Sequence, residues 1–168
     1  MEINEYWELV EKARKSVDDP ADAHAVAESL KEIIKTMDLE SIKGAANAYT
    51  QLTRAAYNLQ LWGAAYVING GCSDDGFDYF IGWLIGQGKK TYEKALADPD
   101  WLAKVEVEAD EAYCEDMLSV ATQAYEELTG GYPTGLTVFP LPELGPIWDF
   151  DDAKEMRRRY PKLYEKFM

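Results

Sequence analysis

Histidine and cysteine are nearly absent from this chain: 168 residues carry one histidine, His24, and two cysteines, Cys72 and Cys114. The cysteines follow neither a C-x-x-C nor a Cys/His metal spacing, so they read as free thiols of a reducing compartment. His24 is remote in sequence from Cys72 and Ser73, which leaves a thiol or hydroxyl nucleophile without a base. Any chemistry here is therefore expected to be carboxylate chemistry. No apolar run approaches the ~18 residues of a membrane span. The start, MEINEYWELVEKARK, is charged and amphipathic and lacks the basic opening and apolar core of a signal peptide. The expectation is a cytoplasmic protein with no membrane partner. Basic residues are also few, 17 against 31 acidic, for a formal net charge of −14. Such a field repels phosphate backbones and anionic lipid. Nucleic acid is thus excluded as an expected partner, and the only dense basic cluster is Arg157, Arg158 and Arg159. Basic proteins and cationic small ligands remain. No motif calls for a cofactor.

Alternating apolar runs bounded by turns are missing too, whereas apolar residues at three- and four-residue spacing run through most of the chain. This predicts an all-α, single irregular domain of about six helices. The first covers about Ile3 to Lys15, with Tyr6, Trp7, Val10 and Ala13 inward. Asp18-Asp19-Pro20 separates it from a second that carries Val26, Leu30 and Ile34. Asp38 caps a long third segment running through Tyr66, bent or split at Gly44. Another helix is expected within Val105 to Leu128, with Tyr113, Met117, Val120, Ala121, Ala124 and Leu128 inward, closed by Gly130-Gly131. Prolines and glycines make residues of about 130–150 irregular. A short terminal helix follows over about 151–160 and stops before Pro161.

The densest stretch is NGGCSDDGFDYFIGWLIGQG, Asn69 to Gly88, with six glycines, three aspartates and four aromatics. Asn69-Gly70-Gly71 supplies the left-handed turn that ends a helix. Ser73 caps the next one, with Asp74 and Asp75 in its first turn. Phe77, Phe80, Ile81, Leu84 and Ile85 share one side of that helix at 100° per residue, wide enough to enter a core. Asp75, Tyr79, Gly82 and Gly86 share another, with Asp78 beside it. Two interior glycines cost about 2 kcal/mol relative to alanine, so they ask for the close approach of another helix or of a ligand. Asp74 and Asp78, or Asp75 and Asp78, could begin a metal site, but magnesium or calcium wants six or more oxygens. Glu108, Glu111 or Glu115 would have to complete it. Trp62 and Tyr66 lie inward on the preceding helix, and Trp83 falls off the apolar stripe.

The run Leu61-Trp62-Gly63-Ala64-Ala65-Tyr66, then Gly70-Gly71-Cys72-Ser73-Asp74-Asp75-Gly76-Phe77, Tyr79-Phe80 and Trp83-Leu84-Ile85, resembles the bacterial family termed domain of unknown function 4240. Tyr6-Trp7, Ala95 to Asp100 and Arg159-Tyr160-Pro161 extend the resemblance over most of the chain. The resemblance implies a helical architecture and carries no activity. Where this chain has Ile81 the family is expected to have arginine, so no arginine role transfers to that position. The functional expectation is a non-catalytic interaction or ligand-binding module, using Asp74, Asp75, Asp78, Tyr79, Trp83 and Trp62 as an acidic, aromatic corner. The alternative is a carboxylate-dependent, metal-assisted hydrolase at the same corner, with Asp74, Asp75 and Asp78 as metal ligands.

Overall fold

A computed structural model describes residues 1–168 and contains nine α-helices, two 3-10 helices and no strand. The all-α expectation holds, and the helices are more numerous than six because three boundaries fall differently. Helices α1 (Ile3–Ser16) and α2 (Ala23–Lys35) are separated by the acidic turn, but the cap is Asp22, which accepts from the His24 and Ala25 amides. Asp38 caps α3 (Leu39–Ala56) through the Ser41 amide, as expected. The long third segment divides at Tyr57-Asn58, where the Asn58 side chain caps α4 (Leu59–Asn69). Gly44 stays helical, with Met1 lying close against it.

Gly70 takes the left-handed conformation (φ 65°) that ends α4, and Ser73 caps α5 (Asp74–Gly86). Gly88, at φ 94°, turns the chain into α6 (Lys89–Ala97). Asp98 then caps the 3-10 helix Pro99–Lys104.

The helix expected from Val105 does not form as one piece. Residues 105–114 are extended or turned, a 3-10 helix spans Glu115–Ser119, and α7 covers only Val120–Thr129. The reason lies in the partners of its backbone. The Asp110 amide donates to the Ile68 carbonyl, and the Asn69 side chain both donates to and accepts from the Ala112 backbone. The segment is thereby tied to the end of α4 rather than bonded to itself. Met117, Val120, Ala121 and Ala124 are buried as predicted, whereas Tyr113 and Leu128 are exposed. At the far end α8 (Ala153–Arg159) is followed by α9 (Pro161–Phe167), which the sequence reading omitted. Proline there serves as the first helical residue, where its missing N–H costs nothing.

A single contiguous apolar core holds these elements together. Helix α5 is its most buried member, and Phe77, Phe80, Ile81, Leu84 and Ile85 all have no exposed surface. On one side α2 packs against α1 and α7, and α7 against α3. On the other, α9 packs against α4 and the Pro99–Lys104 turn. Two long-range contacts fasten α9. Asp100, itself buried, accepts from the Lys162 and Leu163 amides, and the Tyr160 hydroxyl donates to the Gln60 carbonyl across Gly63.

Candidate functional site

The amino end of α5 is built as a cap. Ser73 Oγ accepts from the Gly76 amide at 3.1 Å, and Asp74 Oδ1 from the Asp75 amide at 3.1 Å. Asp74 and Asp75 are both exposed in the first turn. Carboxylates in that position stabilise the helix by about 0.3–1 kcal/mol each. No three of the protein's His, Cys, Asp and Glu side chains stand together as a metal-holding group, so Asp74, Asp75 and Asp78 do not assemble one with the glutamates.

The six candidate residues do not share one surface. Trp62 is a brace: its indole N–H donates to the Cys72 carbonyl at 2.9 Å, and its ring stacks on Phe77 with centroids 4.9 Å apart. Tyr79 turns towards the Asn69–Gly76 corner and reaches Glu115 Oε1 at 3.4 Å. The negative charge of Glu115 holds the Tyr79 hydroxyl above its ordinary pKa. Asp78 points the other way, into a pocket against α3, where burial pushes its carboxyl up while Arg54 opposes the shift. Trp83, expected off the core, is buried at 4 % exposure. The core extends round α5 beyond the Phe77–Ile85 stripe and takes in Trp83 as well.

The notch at Gly82 and Gly86 is filled by the protein itself. A β-carbon on Gly82 would stand 2.5 Å from the Cys114 carbonyl oxygen, and one on Gly86 would stand 3.0 Å from Ala23 Cβ. The glycine face is therefore explained by packing and presents nothing to a ligand.

Above it opens a concavity of about 910 Å³, between the start of α2 and the 105–114 segment. Asp19, Asp22, Glu106, Glu108 and Glu111 line it, with Trp83 and Tyr113 as aromatic walls. Lys166 is the one lysine in the lining, and its ammonium is already held by the Ala103 and Val105 carbonyls at 3.2 and 2.7 Å. The groove is consequently strongly negative. Of its residues only Trp83, Glu108 and Glu111 are site candidates from sequence. Glu106 and Tyr113 reach it on the 105–114 segment, which Asn69 ties to the end of α4.

His24 also lines this groove, and the fold brings it near Cys114. Cys114 Sγ lies 3.8 Å from His24 Nδ1, and Asp116 Oδ2 lies 3.0 Å from the same nitrogen. A triad needs the base to meet its nucleophile and its orienting carboxylate through different nitrogens. Here both compete for one, and Cys114 is wholly buried, with desolvation pushing its thiol up to about 11. The arrangement is not that of an activated nucleophile.

The basic cluster near the end is occupied internally. Arg158 and Arg159 both bind Glu155, Arg159 lies 3.7 Å over the Trp148 ring, and Arg157 lies over Tyr164. No helix is long and apolar enough to cross a membrane. No curated protein and no solved structure matches the chain. A family model does match, over residues 1–127, which takes in α1 through most of α7 and with them the five carboxylates of the groove and the whole of α5. The chain belongs to the family described as protein of unknown function (DUF4240).

Proposed function

We propose that this protein is a non-catalytic binding module whose acidic groove receives a basic segment of another protein or a cationic small ligand. The observation that supports it is the groove's composition: five carboxylates and two aromatic walls against a single lysine, whose ammonium is tied to the Ala103 and Val105 carbonyls. Cations gain both from carboxylates and from aromatic faces. The site moves from the α5 cap to the groove, keeps Trp83, and adds Tyr113, Glu106, Glu108 and Glu111. The reading includes a cytoplasmic location, supported by two cysteines that remain unpaired thiols. Nucleic acid and anionic membranes are unfavourable partners for a chain of charge −14. No observation favours the metal-assisted hydrolase, since the donor set it requires does not assemble.

The test is fluorescence titration with labelled oligolysine and, as control, oligoglutamate of equal length. Oligolysine should bind with an affinity that falls steeply with salt. The triple variant Glu106→Gln, Glu108→Gln, Glu111→Gln should lose most of it. A charge-matched variant, Glu8→Gln, Glu93→Gln, Glu143→Gln, should not. Equal loss in the two triples would reduce the effect to overall charge and defeat the proposal.

A further inference from the structure

Glu106, Val107, Glu108 and Ala109 follow one another in the chain, and all four line the acidic groove. They belong to no helix, and exposure alternates along this stretch: Val105 and Val107 are half-buried, whereas Glu106 and Glu108 are exposed. A period of two is the pattern of an extended chain, whose successive side chains leave on opposite faces. Consecutive residues that all line one groove therefore present main chain to it as well as side chains. The hydrogen bonds of that main chain are incomplete over a bounded length. The amides of residues 110–114 are all paired, in turn to Ile68, Glu108, Asn69, Glu111 and Tyr79. The amides of residues 106–109 have no partner in the protein, and neither have the Glu106, Val107 and Ala109 carbonyls. Lys166 on the Val105 carbonyl closes one end of the free stretch, and the Asp110 amide on Ile68 closes the other. Accessible, unpaired main chain of this kind is a template for another strand.

We propose that the occupant of the groove is an extended peptide segment that adds as a β-strand along Glu106–Ala109 and carries lysine or arginine at alternate positions. This rests on the reading of the groove as a site for cations, and narrows it to a partner that also pairs its backbone. Glu106 and Glu108 stand two residues apart, so they share one face of the extended chain, about 7 Å apart along it. Residues opposite one another in paired strands share a face as well. The incoming strand thus meets both carboxylates only if its own charges are two residues apart. The residue between them falls on the Val107 face, which is apolar and half-buried. Alternating lysine and valine satisfies both faces, whereas consecutive lysines send every second ammonium away from the glutamates. A helical partner bonds its own amides internally and would leave the edge unpaired.

The test titrates the isotope-labelled protein with two capped hexapeptides of equal composition, Lys-Val-Lys-Val-Lys-Val and Lys-Lys-Lys-Val-Val-Val, while amide exchange is followed by NMR. The alternating peptide should bind at least tenfold more tightly. It should slow exchange tenfold or more at two alternating amides, Glu106 and Glu108 or Val107 and Ala109. N-methylation of the alternating peptide separates strand pairing from charge. Methyls on its lysine nitrogens block one edge and methyls on its valine nitrogens block the other, so one version should lose tenfold or more and the other should keep its affinity. Equal binding of the alternating and block peptides, no slowed amide, or equal behaviour of the two methylated versions would each overturn the strand. The groove reading survives that outcome if both peptides bind and the triple variant Glu106→Gln, Glu108→Gln, Glu111→Gln loses them. If neither peptide binds, the groove reading fails and the strand fails with it.

Discussion

Replacing Gly82 with alanine tests whether the glycine face of α5 is closed by the protein. In a free helix the change would stabilise by about 1 kcal/mol. Here the new methyl meets the Cys114 carbonyl oxygen at 2.5 Å, Leu118 Cδ1 at 3.0 Å and Met117 Cβ at 3.3 Å. The first of these is backbone, and it cannot retreat freely because the Cys114 amide is itself bonded to the Tyr79 carbonyl at 2.9 Å. Overpacking of this kind costs about 1–3 kcal/mol, and a contact with backbone belongs in the upper part of that range. After the helix-propensity gain, the expected net loss is about 1–2 kcal/mol. Urea unfolding followed by tryptophan fluorescence should show a midpoint lower by roughly 0.5–1 M, taking a slope of about 2 kcal/mol/M. Gly131→Ala is the matched control, since no atom lies within 4 Å and its φ is not positive. It should leave the midpoint unchanged or raise it slightly. A Gly82→Ala protein as stable as wild type would mean that the notch is open, and a ligand would again be needed to explain it.

What sequence disclosed about this fold divides along the range of the interactions. Local rules were reliable: Asp38 and Ser73 cap where expected, Gly70 and Gly130 end helices in the left-handed conformation, and the five apolar residues of α5 are fully buried. The failures share a cause, which is backbone groups or faces satisfied by distant residues. Residues 105–114 were read as helix because their composition permits one, but Ile68 and Asn69 take their hydrogen bonds. Pro161 looked like a stop, yet Asp100, far back in the chain, supplies the cap that lets α9 start. For the same reason the groove was not legible as a whole: Trp83 lies in its lining, but Glu106, Glu108, Glu111 and Tyr113 arrive on the 105–114 segment, whose course no periodicity encodes.

The long-range cap can be tested directly: Asp100→Ala should lower stability by about 2 kcal/mol in chemical unfolding, from a lost cap and stranded amides. An unchanged midpoint would show that α9 does not need it. The thiols should be sluggish, because burial pushes Cys72 up to about 12 and Cys114 up to about 11. Iodoacetamide at pH 8 followed by mass spectrometry should label Cys114 only after unfolding, and rapid labelling in the native state would reopen the case for a nucleophile beside His24. Glu155 sets an acid-sensitive contact in α8. It binds Arg158 through both oxygens, at 2.6 and 3.0 Å, and Arg159 at 2.7 Å. The Arg158 pairing holds its carboxyl down at about 2, from an ordinary 4.5. A depressed folded-state pKa means that the unfolded chain takes up the proton first as pH falls. The stabilisation is therefore complete above about 4.5 and drains away between there and about 2. Carboxyl NMR should place the Glu155 midpoint near the lower figure, and Glu155→Gln should flatten the loss of stability across that window. A midpoint near 4.5 would show that the two arginines do not hold Glu155 in solution.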